Sequence, residues 1–234
     1  MAIGVTLLTG GSSSTNASSY ATASFTPDAN QLVLVAVRNA KAAGLGDPPS
    51  SLTGNGLTYV QVAEIDRGGD FVLTVWRAMG AAPSAGALTI SFPATQTSCM
   101  WSVVEFSAVD TSGSNGSGAV VQSLAASDDP VTSLLLTLAS FASTDDVAYG
   151  AFGHSQNETT TVGSGFTALH NLSAAESNSL LTEWKANDNT VDASWVTSKD
   201  AYGIALEVKV APPVVVGRQV VGRGAGRGVM RGAR

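Results

Sequence analysis

An internal repeat constrains the fold of this chain more than any other feature of its sequence. Residues 73–78 (LTVWRA) recur 108 positions later as residues 181–186 (LTEWKA). Neighbouring segments recur in the same order: 54–58 as 163–167, 88–92 as 191–195, and 103–106 as 205–208. Because several segments repeat in one order, we interpret the chain as a duplicated half-domain.

Both halves consist of short β-type segments separated by clusters of Gly, Pro, Asn, Asp and Ser. No segment has a sustained helical period with caps. The pattern predicts an all-β protein, a jelly-roll-like β-sandwich built from two similar half-domains, with an extended C-terminal arm. The predicted strands lie near residues 31–38, 57–65, 71–79, 87–92 and 100–109, and near 131–139, 146–153, 166–171, 179–186, 190–195 and 201–210.

Composition shifts divide the chain into three parts. Residues 1–22, rich in Ser, Thr, Gly and Asn, are expected to form a loose lead-in. Residues 23–210 form the sandwich, with half one at 23–110, half two at 119–210 and a Gly/Ser-rich bridge at 111–118. Residues 211–234 form the basic arm. A half of this size is large enough to fold alone, but we favour one core shared by both halves.

Side chains alternate between the two faces of a strand, so the repeat also predicts which residues point outward. The repeated Trp76 and Trp184 are assigned to the core, and Glu105, Glu183 and Glu207 to the outside. Half one has Val75 where half two has Glu183, and Trp101 where half two has Gly203. An exposed apolar patch at Val75 and Trp101 predicts a subunit interface, unless a loop or the N-terminal segment covers it.

Candidate catalytic and metal-binding residues are few. His154 and His170 have no i, i+4 spacing and no cysteine nearby, and no G-x-S-x-G motif is present. Acidic residues at 28, 128–129 and 145–146 lack the spacing of a calcium loop. The repeated Glu105 and Glu207 form a glycosidase pair only if they meet in a cleft. We therefore expect no catalytic residue, no metal, no cofactor and no enzymatic activity.

The single cysteine and the aromatic residues are also assigned to packing. Cys99 has no disulfide partner, and its apolar neighbours indicate a buried thiol. Sugar stacking on Tyr59, Trp101 or Trp195 is an alternative to a core role. The N-terminus lacks the features of a signal peptide, and no run of about 18 apolar residues predicts a membrane span.

The C-terminal arm differs from the rest of the chain in charge. All 18 acidic residues precede residue 211, where they outnumber seven basic residues and give a net charge of −11. The arm contains no acid and five arginines, which we predict to contact other subunits: Arg218, Arg223, Arg227, Arg231 and Arg234. Its glycines predict disorder of the isolated arm. Evenly spaced arginines suit acidic protein surfaces or phosphates, but the acidic body disfavours nucleic acid as a partner.

Several segments resemble a poorly characterised group of β-sandwich proteins from tailed-bacteriophage virions and some bacterial surface proteins. The resemblance rests on residues 56–59 (GLTY), 73–78 (LTVWRA), 101–107 (WSVVEFS), 109–111 (VDT) and 165–167 (GFT), and covers roughly residues 23–210. It implies a structural role in a tailed-phage particle and brings no catalytic residues. The arm lies outside it.

The sequence therefore predicts a non-enzymatic virion protein, a capsid decoration (cement) protein on the particle exterior, held by its arm. The expected partners are a major capsid protein or tail subunits and further copies of this chain, without membrane or nucleic acid. The alternative is a carbohydrate-binding or host-adhesion module of a tail or a surface protein.

Overall fold

The computed structural model describes residues 2–41, 46–66, 71–174 and 178–213, and every regular element in them is a β-strand. In chain order the strands are β1 (Gly4–Ser13), β2 (Ala17–Ala21), β3 (Leu32–Ala40), β4 (Ser51–Gly54), β5 (Leu57–Thr58), β6 (Val60–Asp66), β7 (Phe71–Ala78), β8 (Thr89–Gln96), β9 (Ser98–Ser107), β10 (Val120–Thr137), β11 (Val147–His154), β12 (Thr161–Val162), β13 (Thr167–Ala174), β14 (Asn178–Ala186) and β15 (Thr190–Val208). The all-β prediction is confirmed.

Half one is a sandwich of two antiparallel sheets. Its main sheet has the order β1-β9-β3-β7-β6, and a second sheet with the order β2-β8-β4-β5 covers one face. In both sheets a strand from the start of the half lies beside one from its end, which is the strand arrangement of a jelly roll. The prediction of a jelly-roll-like sandwich is therefore confirmed.

Half two repeats the strand order of the main sheet, as β10-β15-β11-β14-β13. The outer face of this sheet is covered by parts of two long strands, β10 and β15, which continue from the main sheet into a second layer. Residues 120–128 of β10 pair with residues 201–208 of β15 in the main sheet, and residues 133–137 pair with 190–194 in an outer layer that β12 joins. The two halves thus share a topology, while their origin by duplication stays an interpretation.

Three apolar clusters fill the described part of the molecule, where the sequence predicted one shared core. The shared cluster lies between the two main sheets and includes Leu34, Leu73, Tyr149 and Ile204. A second cluster lies under the cover of half one, and a third under the cover of half two. Each main sheet is therefore buried on both faces, and all residues of β3 and β11 are buried.

The main sheets pack face to face with their strand orders reversed. Strand β1 lies over β13, and β6 lies over β10. Because the two orders are alike, this reversal relates the halves by an approximate two-fold axis parallel to the strands. Polar contacts cross the shared core: the hydroxyls of Ser102 and Thr182 lie 2.8 Å apart, and the Arg38 Nη2 donates to the His154 carbonyl at 3.1 Å.

The prediction of a loose lead-in at residues 1–22 is wrong. Strand β1 pairs with β9 from Gly4 opposite Ser107 to Ser13 opposite Cys99, and β2 pairs with β8. Backbone hydrogen bonds to these strands order the Ser- and Gly-rich segment, although few of its side chains are fully buried. Half one therefore begins near residue 4.

Candidate functional site

The predicted interface residues Val75 and Trp101 are buried inside the chain. Val75 is 0% exposed in the shared core, and Trp101 is 7% exposed on the opposite face of the sheet. The Trp101 indole lies against Gly11 of the neighbouring strand β1, where a Cβ would lie 3.0 Å from it, and shares a cluster with Leu8 and Tyr20 of the N-terminal segment. The predicted exposed patch is therefore wrong. The N-terminal segment encloses Trp101, as the alternative proposed, whereas Val75 packs against the main sheet of half two.

The glutamates that were predicted to point outward are also buried. Glu105 accepts a hydrogen bond from the Asp28 N–H at 2.6 Å, and Glu207 accepts one from Gln122 Nε2. Burial is the main cause that raises the pKa of both carboxyls. They face the covers of different halves, so they do not meet as a catalytic pair.

Glu183 is the most enclosed of these carboxyls. It is 0% exposed, and its Oε2 accepts the Gly163 N–H at 3.0 Å. Its Oε1 has no hydrogen-bond partner among the described residues. Burial raises its pKa to about 8, and the nearby Asp192 adds to this effect. Burial thus favours the protonated form of this carboxyl, which has no exposed surface in the structure.

The two histidines are packing residues in the structure. His154 is fully buried, stacks on Trp195 with ring centres 5.0 Å apart, and bonds Thr160 Oγ1 through Nε2 at 3.1 Å. Burial, followed by the charge of Arg38, lowers its pKa to about 4. Burial also lowers the pKa of His170, which packs over Gly10 of half one. Neither ring is hydrogen-bonded to a carboxylate among the described residues.

The aromatic residues considered for sugar stacking are buried too. Trp195 donates from Nε1 to the Val131 carbonyl at 2.8 Å, while Tyr59 belongs to the second cluster together with Trp101. No group of three or more potential metal ligands occurs among the described residues. The acid pairs are engaged locally; for example, the Asp128 carboxylate accepts the Asp129 N–H at 2.8 Å.

One end of the molecule gathers charged groups around a cavity of about 380 Å³, which we call the junction cavity. Its charged lining residues are Asp110, Asp146, Glu207 and Lys209. Lys209 Nζ lies 2.9 Å from Asp110 Oδ2, and the N–H of Ser112, followed by this lysine, lowers the Asp110 pKa. The Asp146 carboxylate accepts the N–H groups of Val210 and Ser143. The carboxylates thus hold the chain ends of both halves together.

Sequence reasoning missed the junction cavity because its residues are up to 99 positions apart. One sequence feature pointed to it: Asp110 and Lys209 lie at the C-terminal ends of the two predicted halves. A second cavity, of about 310 Å³, lies at the opposite end of β1. It is lined mainly by hydroxyls and carries no charged group among its described residues: Ser12, Ser13, Ser14, Thr15, Ser98, Met100 and Ala174.

The five arginines predicted to contact other subunits lie outside the described residues, so the structure says nothing about them. Within the described residues, no helix has the length and apolarity to span a membrane. Comparisons with known proteins add no relative: no family model, no curated protein and no solved structure matches this chain.

Proposed function

We propose that this chain is a non-enzymatic structural protein of a tailed-bacteriophage particle, a capsid decoration protein on its exterior held by the C-terminal arm. The observation that carries the proposal is the separation of charge. The part of the chain before residue 211 has a net charge of −11, and the last 24 residues carry five arginines and no acid. A tail of opposite charge on a compact body is typical of an interaction arm.

The body supports this proposal through its construction. Three cores and two main sheets buried on both faces make a compact scaffold, and jelly rolls serve in viral capsids and in lectins. Fold alone does not fix function, so the state of the candidate site residues matters as well. Both histidines and the enclosed Glu183 are occupied by packing, which favours a structural over a catalytic role.

The arginines explain how such a body attaches. A guanidinium donates to carboxylates and carbonyls in a fixed planar geometry, and several weak contacts on one arm gain from a high effective concentration. The 21 residues of the arm that follow Pro213 reach about 70 Å when extended. Contacts between exposed charges are screened by salt, so attachment should weaken as ionic strength rises.

Reconstitution on phage particles assembled without this chain tests the proposal. The full-length protein with all five arginines changed to Ala should fold as the wild type does and occupy fewer sites. Changing Arg77 to Ala is the matched control, because it removes a charge from the body and leaves the arm intact. Wild-type occupancy of the five-arginine variant, or of a chain truncated after Ala211, would refute attachment by the arm.

A further inference from the structure

The outer edge of β1 is an open strand edge among the described residues. Within the part of the chain that the structure describes, β1 is the end strand of its sheet and pairs only with β9, along Gly4–Ser13. It contains no charged residue and no proline. An open edge presents a row of N–H and C=O groups that another strand can pair with, and proteins usually protect such edges with charges or proline.

Two of the other edge strands of the main sheets contain such charged residues or proline. β6 contains Glu64 and Asp66, and β10 contains Asp128, Asp129 and Pro130. The fourth edge strand, β13, also contains no proline and no Asp, Glu, Lys or Arg; its only ionisable side chain is that of His170. It belongs to the main sheet of half two. Which of the two unprotected edges is within reach depends on where the chain leaves the body.

The chain leaves the body in the layer of half one, close to the start of β1. After β15, Val210 forms an antiparallel bridge with Val109, and the Ala211 N–H donates to the Ala108 carbonyl at 2.8 Å. Ser107, one residue earlier, is paired with Gly4. The C-terminal segment therefore crosses from the sheet that contains β13 to the sheet that contains β1.

The distance from this exit to the open edge is short. A strand added outside β1 would lie two strand spacings from β9, about 10 Å. The three residue steps from Ala211 to residue 214 span about 10 Å when the chain is extended. Residues 214–221 (VVVGRQVV) follow directly, and five of these eight residues are valine. Valine is among the residues that favour strands most strongly.

We infer that residues 214–221 of the same chain add as a parallel strand to the outer edge of β1. Eight residues at about 3.3 Å each extend over most of the ten-residue β1. The arginines from Arg223 onward would then start beyond the middle of β1, on the side that carries the hydroxyl-lined cavity. This pairing does not depend on particle attachment, which uses the arginines.

Hydrogen exchange of the full-length protein tests the pairing. In an edge strand, alternate amides point away from the sheet and are protected only when a further strand is present. Changing the five valines (Val214, Val215, Val216, Val220 and Val221) to Ser should speed exchange of the outward amides in residues 4–13 by about tenfold or more. Exchange in β6 and β13 should not change. The five-arginine variant is the matched control and should keep the wild-type protection of β1.

Three results would overturn the inference. Equal exchange of β1 in the valine variant and the wild type would show that the segment does not pair there. Protection of β13 in place of β1 would assign the segment to the other edge. Protection of β1 that disappears on hundredfold dilution of the wild type would assign the pairing to a second copy. Lost occupancy of the five-arginine variant, together with equal β1 exchange in the valine variant and the wild type, would leave the arm proposal standing and remove only this inference.

Discussion

The buried carboxyl of Glu183 accepts the backbone N–H of Gly163 at 3.0 Å and fastens the turn at residues 163–166 to the main sheet of half two. Its cross-strand neighbours, Gly150 and Ala168, are small and leave room for it. A Cβ on Gly150 would lie 3.2 Å from Glu183 Cγ. From the other side, Lys185 donates to the Ser164 carbonyl at 2.8 Å.

This carboxyl makes stability depend on pH. Its pKa rises from the ordinary 4.5 to about 8 in the folded protein, so the folded state binds the proton more tightly than the unfolded chain does. The stabilisation is complete below pH 4.5 and is lost as the pH rises to about 8, at about 1.4 kcal/mol per pH unit. Urea unfolding between pH 5 and 9 should show a decrease on the order of 2–5 kcal/mol from this group.

Changing Glu183 to Gln isolates that contribution, because the amide keeps an acceptor for Gly163 and cannot ionise. Other buried acids titrate in both proteins and cancel in the difference. The wild type should therefore lose stability relative to Glu183→Gln as the pH rises. Glu64→Gln, at an exposed carboxyl, is the control. Parallel pH profiles for wild type and Glu183→Gln would contradict the prediction.

The apolar strands were predictable from sequence because β-branched runs between turn residues mark them directly. β3, β7, β9, β11 and β14 fall close to the predicted ranges. β1 and β2 could not be predicted in this way, because their segment is rich in Ser, Thr and Gly and has little apolar alternation. Backbone pairing orders it instead. β4 and β12 are only four and two residues long, too short for a pattern.

The inward and outward faces could not be predicted from alternation. Alternation identifies a buried face only when the other face meets water, and here both faces of the main sheets are covered. Val75 and Trp101 were therefore assigned outward although each packs in a different core. The prediction of strands was local, whereas the covering of faces depends on how distant segments meet.

The repeated tryptophans show a second limit of the sequence pattern. Val35 lies between Val103 and Trp76, and its counterpart Gly150 lies between Ala205 and Glu183. By position in the two sheets, Trp76 therefore corresponds to Glu183. The sequence repeat aligns Trp76 with Trp184 instead, so it is shifted by one residue from the structural correspondence. A shift of one residue changes the face, so Trp76 packs under the cover of half one and Trp184 packs on the shared core.

Trp101 should matter for stability and not for assembly. Changing it to Ala removes a buried indole and should reduce the free energy of unfolding by about 3–5 kcal/mol. Leu135→Ala, at a side chain that is exposed, is the control and should change stability little. Urea unfolding measures both. A Trp101→Ala protein of wild-type stability would show that the indole is not a core residue.

The hydroxyl pair across the shared core gives a test of how the halves are joined. Ser102 and Thr182 lie 2.8 Å apart in a buried setting, so Ser102→Ala leaves the Thr182 hydroxyl without this partner and should cost about 1–3 kcal/mol. Thr182→Val keeps the shape, and the double variant should be less destabilised than the sum of the single variants. Strict additivity in this cycle would show that the hydroxyls do not interact.

Cys99 should be inert in the folded protein. Its thiol is fully enclosed between the sheets of half one, and burial raises its pKa, so little reactive thiolate forms at neutral pH. We expect no reaction with a thiol reagent such as DTNB under native conditions and one thiol per chain in denaturant. Ala139→Cys, on an exposed loop, is the control for reagent access. Rapid modification of native wild-type protein would contradict the tight cover that the second sheet of half one (β2-β8-β4-β5) places over this face.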